Sequence, residues 1–291
     1  MRHAERLPNT DFRYDIRLID RERVSVGNGR IEGVRIASEP GSEWTVVVCL
    51  DAHAVCRQNG RETRLRTGHG IFLPPNPYEI DYYGGSELLG ARFMTAALAE
   101  TCEALGAPDA LARVESRGEP LTFLVPACGV SRVARLWLER SADNAIPEPA
   151  RARIDQLHED LLLAEAAASL IRAAEEMADR AAADRAKAER AVAFMLANIA
   201  APIGPSQIAR GAGLSIRALQ YVFRAVHGVT PGVYLRNLRL ERARALLLDL
   251  GDESSVADVA RACGLHHLGE FGAAYRARFG ERPSETLRRG G

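Results

Sequence analysis

The stretch Ile208-Ala209-Arg210-Gly211-Ala212-Gly213-Leu214-Ser215 returns, at a fixed offset, as Val259-Ala260-Arg261-Ala262-Cys263-Gly264-Leu265-His266. One residue further offset, Leu219, Phe223, Gly228 and Pro231 correspond to Phe271, Tyr275, Gly280 and Pro283. Each copy reads as a short helix, a glycine turn, a second helix, a glycine stop, and a proline that opens the next helix. A small residue packed against the second helix, followed by a tight glycine turn, is what a helix-turn-helix needs. An Arg-rich stretch from Val233 to Leu248 joins the copies and predicts a connecting helix. The last hundred residues therefore predict an all-α module with two helix-turn-helix units.

These residues carry a resemblance. The segment LSIRALQYVFRAVHGVTPGVYLRNLRLERARALL, followed by VADVARACGL and YRARFGERPSETLRR, resembles the AraC/XylS-type transcription regulators over roughly residues 185–290. The resemblance implies binding to double-stranded DNA at a promoter or operator. For an activator it also implies contact with RNA polymerase.

The chemistry of the reading helices can be argued separately. In the first unit the second helix is predicted from Ser215, a good N-cap, to about Val226. Ile216, Leu219 and Phe223 should be buried on one face. Arg217, Gln220, Tyr221 and Arg224 should face outward. A major groove admits one helix, and its base edges are read by Arg on guanine and by Gln on adenine. Arg217 and Gln220 suit base edges, and they match base-contacting positions of the family. Tyr221 suits a thymine methyl or a phosphate, and Arg224 the backbone.

The second unit is equipped differently. Its reading helix should start near His267, with Leu268 in its first turn and Phe271 and Tyr275 on the core face. The positions matching Arg217, Gln220 and Tyr221 are Gly269, Gly272 and Ala273, none of which can donate a side-chain hydrogen bond. Glu270, where related sequences often have a basic or neutral residue, repels phosphate unless it accepts from a cytosine amino group. The second unit is expected to position the protein and read shape, with His266, His267 and Arg276 near the backbone. On the connecting helix, Arg236, Arg239, Arg242 and Arg244 are candidates for phosphate contact, with Arg239 counted among the DNA-binding residues, as are Ser215 in the first unit and Leu268, Gly269, Glu270 and Ala273 in the second. Glu241 and Asp249 suggest local ion pairs for others. Two reading helices on one linker helix could enter successive grooves about 34 Å apart.

The N-terminal part reads as strands. Asn28-Gly29 and Asn59-Gly60 each sit between alternating segments, the strongest short hairpin signal. The same reading assigns Gly27-x-Gly29-x-x-x-Gly33 to a hairpin turn, since a nucleotide fingerprint needs other spacing and a following helix. Thr67-Gly68-His69-Gly70 and Pro74-Pro75-Asn76-Pro77 supply further turns around Ile71-Phe72-Leu73. Short strands with turns every 8–12 residues imply a sandwich or barrel. More loosely, Cys56-Arg57-Gln58-Asn59-Gly60-Arg61, Leu65-x-x-Gly68 and Pro77-Tyr78-Glu79-Ile80 are similar to the cupin-like sensor domain of many of these regulators, which implies a small organic effector and a homodimer. A barrel interior with aromatic side chains and one or two charges suits such a ligand; Trp44, Phe72, Tyr78, Tyr82, Tyr83 and Arg92 are the candidates. Farther on, Ile154, Leu157, Leu161, Ala164, Ala168 and Ile171 recur at spacings of three and four, an amphipathic helix that could pack on the barrel or pair with a second subunit. Residues 176–190 read as a solvated helical linker.

The expected fold class is α+β. A cupin-like β-barrel (about 10–95) with a helical dimerisation segment (about 96–175) makes up residues 1–183, and the all-α module residues 184–291. Charge follows the same division. Formal net charge is zero, yet residues 184–291 carry 16 Arg/Lys against 10 Asp/Glu, and residues 1–183 carry 22 against 28. A basic end on an acidic chain suits a polyanion-binding module. With 47% hydrophobic and 26% charged residues, the chain can bury a core, which excludes wholesale disorder.

The five cysteines (Cys49, Cys56, Cys102, Cys128, Cys263) are odd in number and form no C-x-x-C pair, as in a reduced compartment. No apolar run approaches the roughly 20 residues that span a bilayer, and the polar N-terminus lacks a signal-peptide core, so a cytoplasmic protein without membrane partners is expected. Catalytic signatures such as H-E-x-x-H, G-x-S-x-G or a P-loop are absent from the sequence. No catalytic residue, metal or cofactor is expected. His53 and His69 read as loop or surface residues, and Cys49 and Cys56 as packing residues. The alternatives are a metal-dependent cupin-type enzyme with an appended helical domain, and a ligand-independent DNA-binding protein.

Overall fold

In the computed structural model, which describes residues 2–8, 10–124, 129–143, 145–250 and 255–290, Asn59 and Gly60 both hold positive φ, at 51° and 74°. They close the hairpin between β5 (Glu43–Gln58) and β6 (Arg61–Leu65), where Asn-Gly fits the primed turn that two strands need. The other Asn-Gly pair does not turn. Asn28 and Gly29 lie inside β3 (Val24–Glu32), which pairs on one side with β2 (Arg13–Asp20) and on the other with β8 (Tyr78–Met94). Two flanking ladders outweigh the local preference. At Gly33, with φ +63°, the chain only bends and continues along β8 as β4 (Val34–Ser38), while the hairpin reversal lies at residues 21–23, between β2 and β3. Gly29 is there for space: a Cβ on it would lie 2.0 Å from the Asp15 carbonyl oxygen.

With β1 (Arg2–Arg6), β7 (His69–Leu73) and β9 (Leu121–Leu124), the strands form one antiparallel sheet. Its path runs β1-β4-β8-β5-β7-β9, with β3 and then β2 added on β8, and β6 on β5. The strands β1 and β9 extend it beyond the predicted range of about 10–95. The long strands β5 and β8 pair along their whole length and carry register shifts near Asp51. The shift changes side-chain parity. Val47 and Cys49 before it, and Ala54 and Cys56 after it, join one buried cluster with Ile31, Leu65, Ile80 and Leu88. Burial pushes the Cys49 and Cys56 thiols up to about 12, so both pack as neutral side chains. Cys128 lies outside the described residues.

The opposite face of the sheet, with Val24, Val26, Trp44, Val46, Phe72 and Phe93, packs under helices. These are α1 (Thr95–Ala104), α2 (Ala110–Ser116), α3 (Gly129–Ser141) and the first part of α4 (Glu148–Ala197). The Trp137 indole donates to Asp155 at 2.8 Å, and the other oxygen of Asp155 pairs with Arg21 at 2.6 Å. Arg23 donates to Glu159 at 2.8 Å and to Asp160 at 2.7 Å. The turn between β2 and β3 is thereby fastened to α4.

The chain divides into two compact units, Met1–Met177 and Ala178–Gly291. Residues 176–190 are helical throughout as part of α4; residues 178–183 are exposed, whereas Asp184 and Ala188 are buried. In the second unit, α5 (Pro205–Gly211) and α6 (Ile216–His227) make one helix pair, α7 (Pro231–Leu250) connects, and α8 (Val256–Ala262) and α9 (Leu268–Phe279) make the other, followed by α10 (Pro283–Gly290). Each pair has its own core: Ile208, Leu219 and Phe223 in the first, Val259, Phe271 and Tyr275 in the second. Among the described residues, no helix is long and apolar enough to cross a membrane.

Candidate nucleic-acid interface

The two helix pairs share one turn, built from the residues that repeat. Ala209 and Ala260 are buried, and their carbonyls accept from Leu214 N at 2.8 Å and Leu265 N at 2.9 Å. Gly213 and Gly264 supply positive φ, 68° and 73°, at the corner, a conformation that costs glycine nothing. Gly228 and Gly280 end the second helices in the left-handed region, and Pro231 and Pro283 open the next ones. Gly211 differs from Ala262 for a local reason. A Cβ on Gly211 would fall 2.1 Å from the Phe194 ring.

The first reading helix, α6, is capped as predicted: the Ser215 hydroxyl accepts from Ala218 N at 3.1 Å. Leu219, Val222 and Phe223 face the core. Ile216 does not; it is 45% exposed. Val222 is buried on that face instead. Arg217, Gln220, Tyr221 and Arg224 are all exposed. Among the described residues their side chains make no hydrogen bond or ion pair within the chain, so their side-chain donors are available to a partner.

In α9, Phe271 and Tyr275 are buried, while His266, His267, Leu268, Gly269, Glu270, Ala273 and Arg276 are exposed. Unlike Ser215, His267 makes no capping bond through its side chain. A Cβ on Gly269 or Gly272 would meet nothing within 4 Å. Packing therefore does not require glycine at either position, and Gly269, Gly272 and Ala273, which match Arg217, Gln220 and Tyr221, offer no side-chain donor.

Arg239 departs from its expected role. Its guanidinium is half-buried and donates to the carbonyls of Ile199 at 2.9 Å and Ala201 at 2.6 Å. A Cβ on Gly264 would lie 2.8 Å from Ile199 O and 3.1 Å from Arg239 Cζ. Arg239 is thus an internal clamp that joins the connecting helix, the residues after α4 and the turn of the second unit. A DNA contact would forfeit these bonds. Arg244 lies over the Phe279 ring at 4.8 Å and pairs with Glu281 at 3.9 Å. Glu241 pairs with Arg278 at 2.8 Å, across to α9 rather than locally. Arg236 and Arg242 remain exposed.

In the first unit of the chain, the six expected pocket residues are not brought together. Trp44 and Phe72 point into the helix-covered core. Tyr78 and Tyr82 belong to the other face. Tyr83 is 40% exposed and donates to Asp81 at 3.1 Å. Arg92 pairs with Glu43 at 3.2 Å and with Asp20 at 3.5 Å. Strand alternation sends neighbouring aromatics to opposite faces. Tyr82 and Arg92 do share a cavity of about 330 Å³, whose other wall is β2. The alternation of Phe12, Tyr14, Ile16 and Leu18 was the signal for that wall.

On α4, the face packed against the sheet is Leu162, Leu163, Ala166, Ala167, Leu170 and Ala174. The expected stripe lies beside it. Leu157 and Leu161 are 53% and 49% exposed, Ala168 is exposed, and Ile154, Ala164 and Ile171 are half-buried. His53 is exposed, and His69 is half-buried with Nδ1 3.4 Å from the Thr67 carbonyl. Among the described residues, no three His, Cys, Asp or Glu side chains gather as a metal site requires.

A helix-turn-helix domain family matches residues 208–289. Over 98 residues the chain is 40% identical to the XylDLEGF operon transcriptional activator of Pseudomonas putida, covering 33% of this chain and 30% of that protein. Over 103 residues it is 36% identical to the HTH-type transcriptional regulator ArgR of Pseudomonas aeruginosa, covering 35% and 31%. Among solved structures, an AraC-type DNA-binding transcriptional regulator from Chromobacterium violaceum is 34% identical, covering 38% of this chain and 96% of that one, with a TM-score of 0.35. The chain spans about a third of the length of these curated relatives. The paired turns, the outward polar face of α6 and the likeness to these curated regulators converge on the last third of the chain: its C-terminal domain is a helix-turn-helix domain of the AraC/XylS type.

Proposed function

We propose that the chain is a sequence-specific DNA-binding regulator of transcription in the cytoplasm. The observation that carries this is the free, exposed face of Arg217, Gln220, Tyr221 and Arg224 on a capped helix of a helix-turn-helix. Arg and Gln in that position suit the bidentate readout of guanine and adenine. The second unit supplies position and shape contacts through His266, His267 and Arg276, and the lack of side-chain donors at Gly269, Gly272 and Ala273 supports that division of labour. The relatives named as transcriptional activators support activation, with RNA polymerase as the further partner.

The N-terminal unit, in this reading, is a cupin-like sensor and dimerisation domain rather than an enzyme. Its folded antiparallel sheet with an open cavity supports the sensor role. The exposed row of Leu157, Leu161 and Ala168 on α4 supports pairing of two copies.

Fragmented genomic DNA, captured by the purified full chain at about 150 mM salt and sequenced, tests the proposal. Moderate salt suppresses binding through phosphate contacts alone. Discrete intergenic peaks sharing a motif are expected. A flat profile, with and without cell extract metabolites, would overturn the reading.

A further inference from the structure

The cavity beside β2 has a composition that specifies what it can hold. One wall is Tyr14, Ile16 and Leu18, which are 49%, 39% and 54% exposed. Facing them are Val47, Tyr82 and Leu88. The apolar row on β2 thus looks across a concave space and not outward, which suits a small molecule better than a flat protein surface. The volume, about 330 Å³, is at the lower end of small-molecule sites.

A glycine gives the space its depth. Gly90 lines the cavity, and a Cβ there would come no closer than 3.8 Å to any neighbour. Its backbone is not in the left-handed region, so a larger residue could adopt it without strain. The room at Gly90 is room for something other than protein.

Charge narrows the class. Arg92 is the charged residue of the lining, and it sits between the carboxylates of Glu43 and Asp20. Two negative charges around one positive leave that end with no surplus cation to hold an anion. A carboxylate or sulfonate would enter an apolar space without a counter-charge, which is costly. The other polar residues of the lining, among them Tyr14, Ser25, Asn28 and Thr45, are neutral and suit neutral hydrogen-bonding groups.

We propose that this cavity binds a neutral, largely apolar organic molecule, a ring system or short chain with at most a hydroxyl or carbonyl group. The proposal deepens the sensor reading of the N-terminal unit and rests on it.

A matched pair of fluorescent probes tests it on the full chain. N-phenyl-1-naphthylamine is neutral, and 1-anilinonaphthalene-8-sulfonate is the same skeleton with an anionic group. The neutral probe should bind saturably, and the sulfonate roughly tenfold or more weakly. Gly90→Leu, which fills the cavity, should abolish saturable binding of the neutral probe. Leu18→Gln, a change at an exposed rim position, should weaken it severalfold; should Gly90→Leu fail to fold, this variant decides. Equal or tighter binding of the sulfonate would overturn the ligand class and leave the sensor reading standing. Absence of saturable binding, or binding that ignores the folded variants, would overturn both the cavity as a site and the sensor reading attached to it.

Discussion

Arg239 donates through Nε to the backbone carbonyl of Ile199 at 2.9 Å. A second nitrogen reaches Ala201 O at 2.6 Å, and burial lowers the guanidinium's pKa from its usual value. Arg239→Ala leaves both carbonyls without this partner. It should destabilise the C-terminal domain by about 1–3 kcal/mol, as expected for lost hydrogen bonds to a charged group. Denaturant unfolding of the full chain checks this. The salt dependence of DNA binding should keep its slope, because no phosphate contact is lost. A shallower slope at unchanged stability would restore Arg239 to the DNA interface.

Asp155 offers a parallel case in the N-terminal unit. It accepts from the Trp137 indole at 2.8 Å and pairs with Arg21 at 2.6 Å. Asp155→Ala strands a fully buried indole N–H and frees the β2–β3 turn from α4. A loss of about 1–3 kcal/mol is expected. Asp155→Asn, which can still accept from the indole, should lose less. Equal losses would mean that the indole bond contributes little.

These two residues show what pattern reading can and cannot reach. The repeat was legible because its positions do local work: Ala209 and Ala260, Gly213 and Gly264, Pro231 and Pro283 act within one turn of themselves. Asn59-Gly60 was legible for the same reason. Asn28-Gly29 misled because two distant strands, β2 and β8, claim the same segment. Arg239 misled because an exposed-looking Arg on a helix finds its carbonyl partners 38 and 40 residues away. The apolar stripe of α4 was visible, but two adjacent stripes exist, and only the tertiary fold says that Leu162, Ala166 and Leu170 are the covered one. The pocket aromatics divide because alternate strand positions face opposite sides of the sheet: Trp44 and Phe72 lie in the helix-covered core, Tyr78 and Tyr82 on the other face.

Asp81 makes stability depend on pH. It is buried, with Arg35 at 2.6 Å and Arg57 at 2.6 Å. The hydrogen bonds of Arg35, with those of Arg57 and Tyr83, hold its carboxyl at about 2, against an ordinary 3.8. A carboxyl depressed in the folded state stabilises the fold above its unfolded value. That contribution is lost as pH falls from about 4 through about 2. It amounts to about 2 kcal/mol. Urea unfolding between those pH values should therefore be steeper for the wild type than for Asp81→Asn. Equal slopes would show that the cluster adds no pH-dependent stability.

Glu270 is an exposed carboxylate at the start of α9, in the unit expected to meet the backbone. Removing its charge should relieve repulsion from phosphate. Glu270→Ala should tighten binding to specific and unrelated duplexes alike, measured by fluorescence anisotropy at fixed salt. Tightening confined to one sequence would mean that Glu270 discriminates bases.

The central claim is that the first helix-turn-helix reads sequence and the second does not. Binding-site selection from a random duplex library, run at about 150 mM salt with the wild type, Arg217→Ala and Glu270→Ala, tests it most directly. The account predicts that Arg217→Ala costs about 1–3 kcal/mol and erases preference at one base pair, while Glu270→Ala returns the wild-type motif. A motif left intact by Arg217→Ala, or altered equally by both variants, would contradict it.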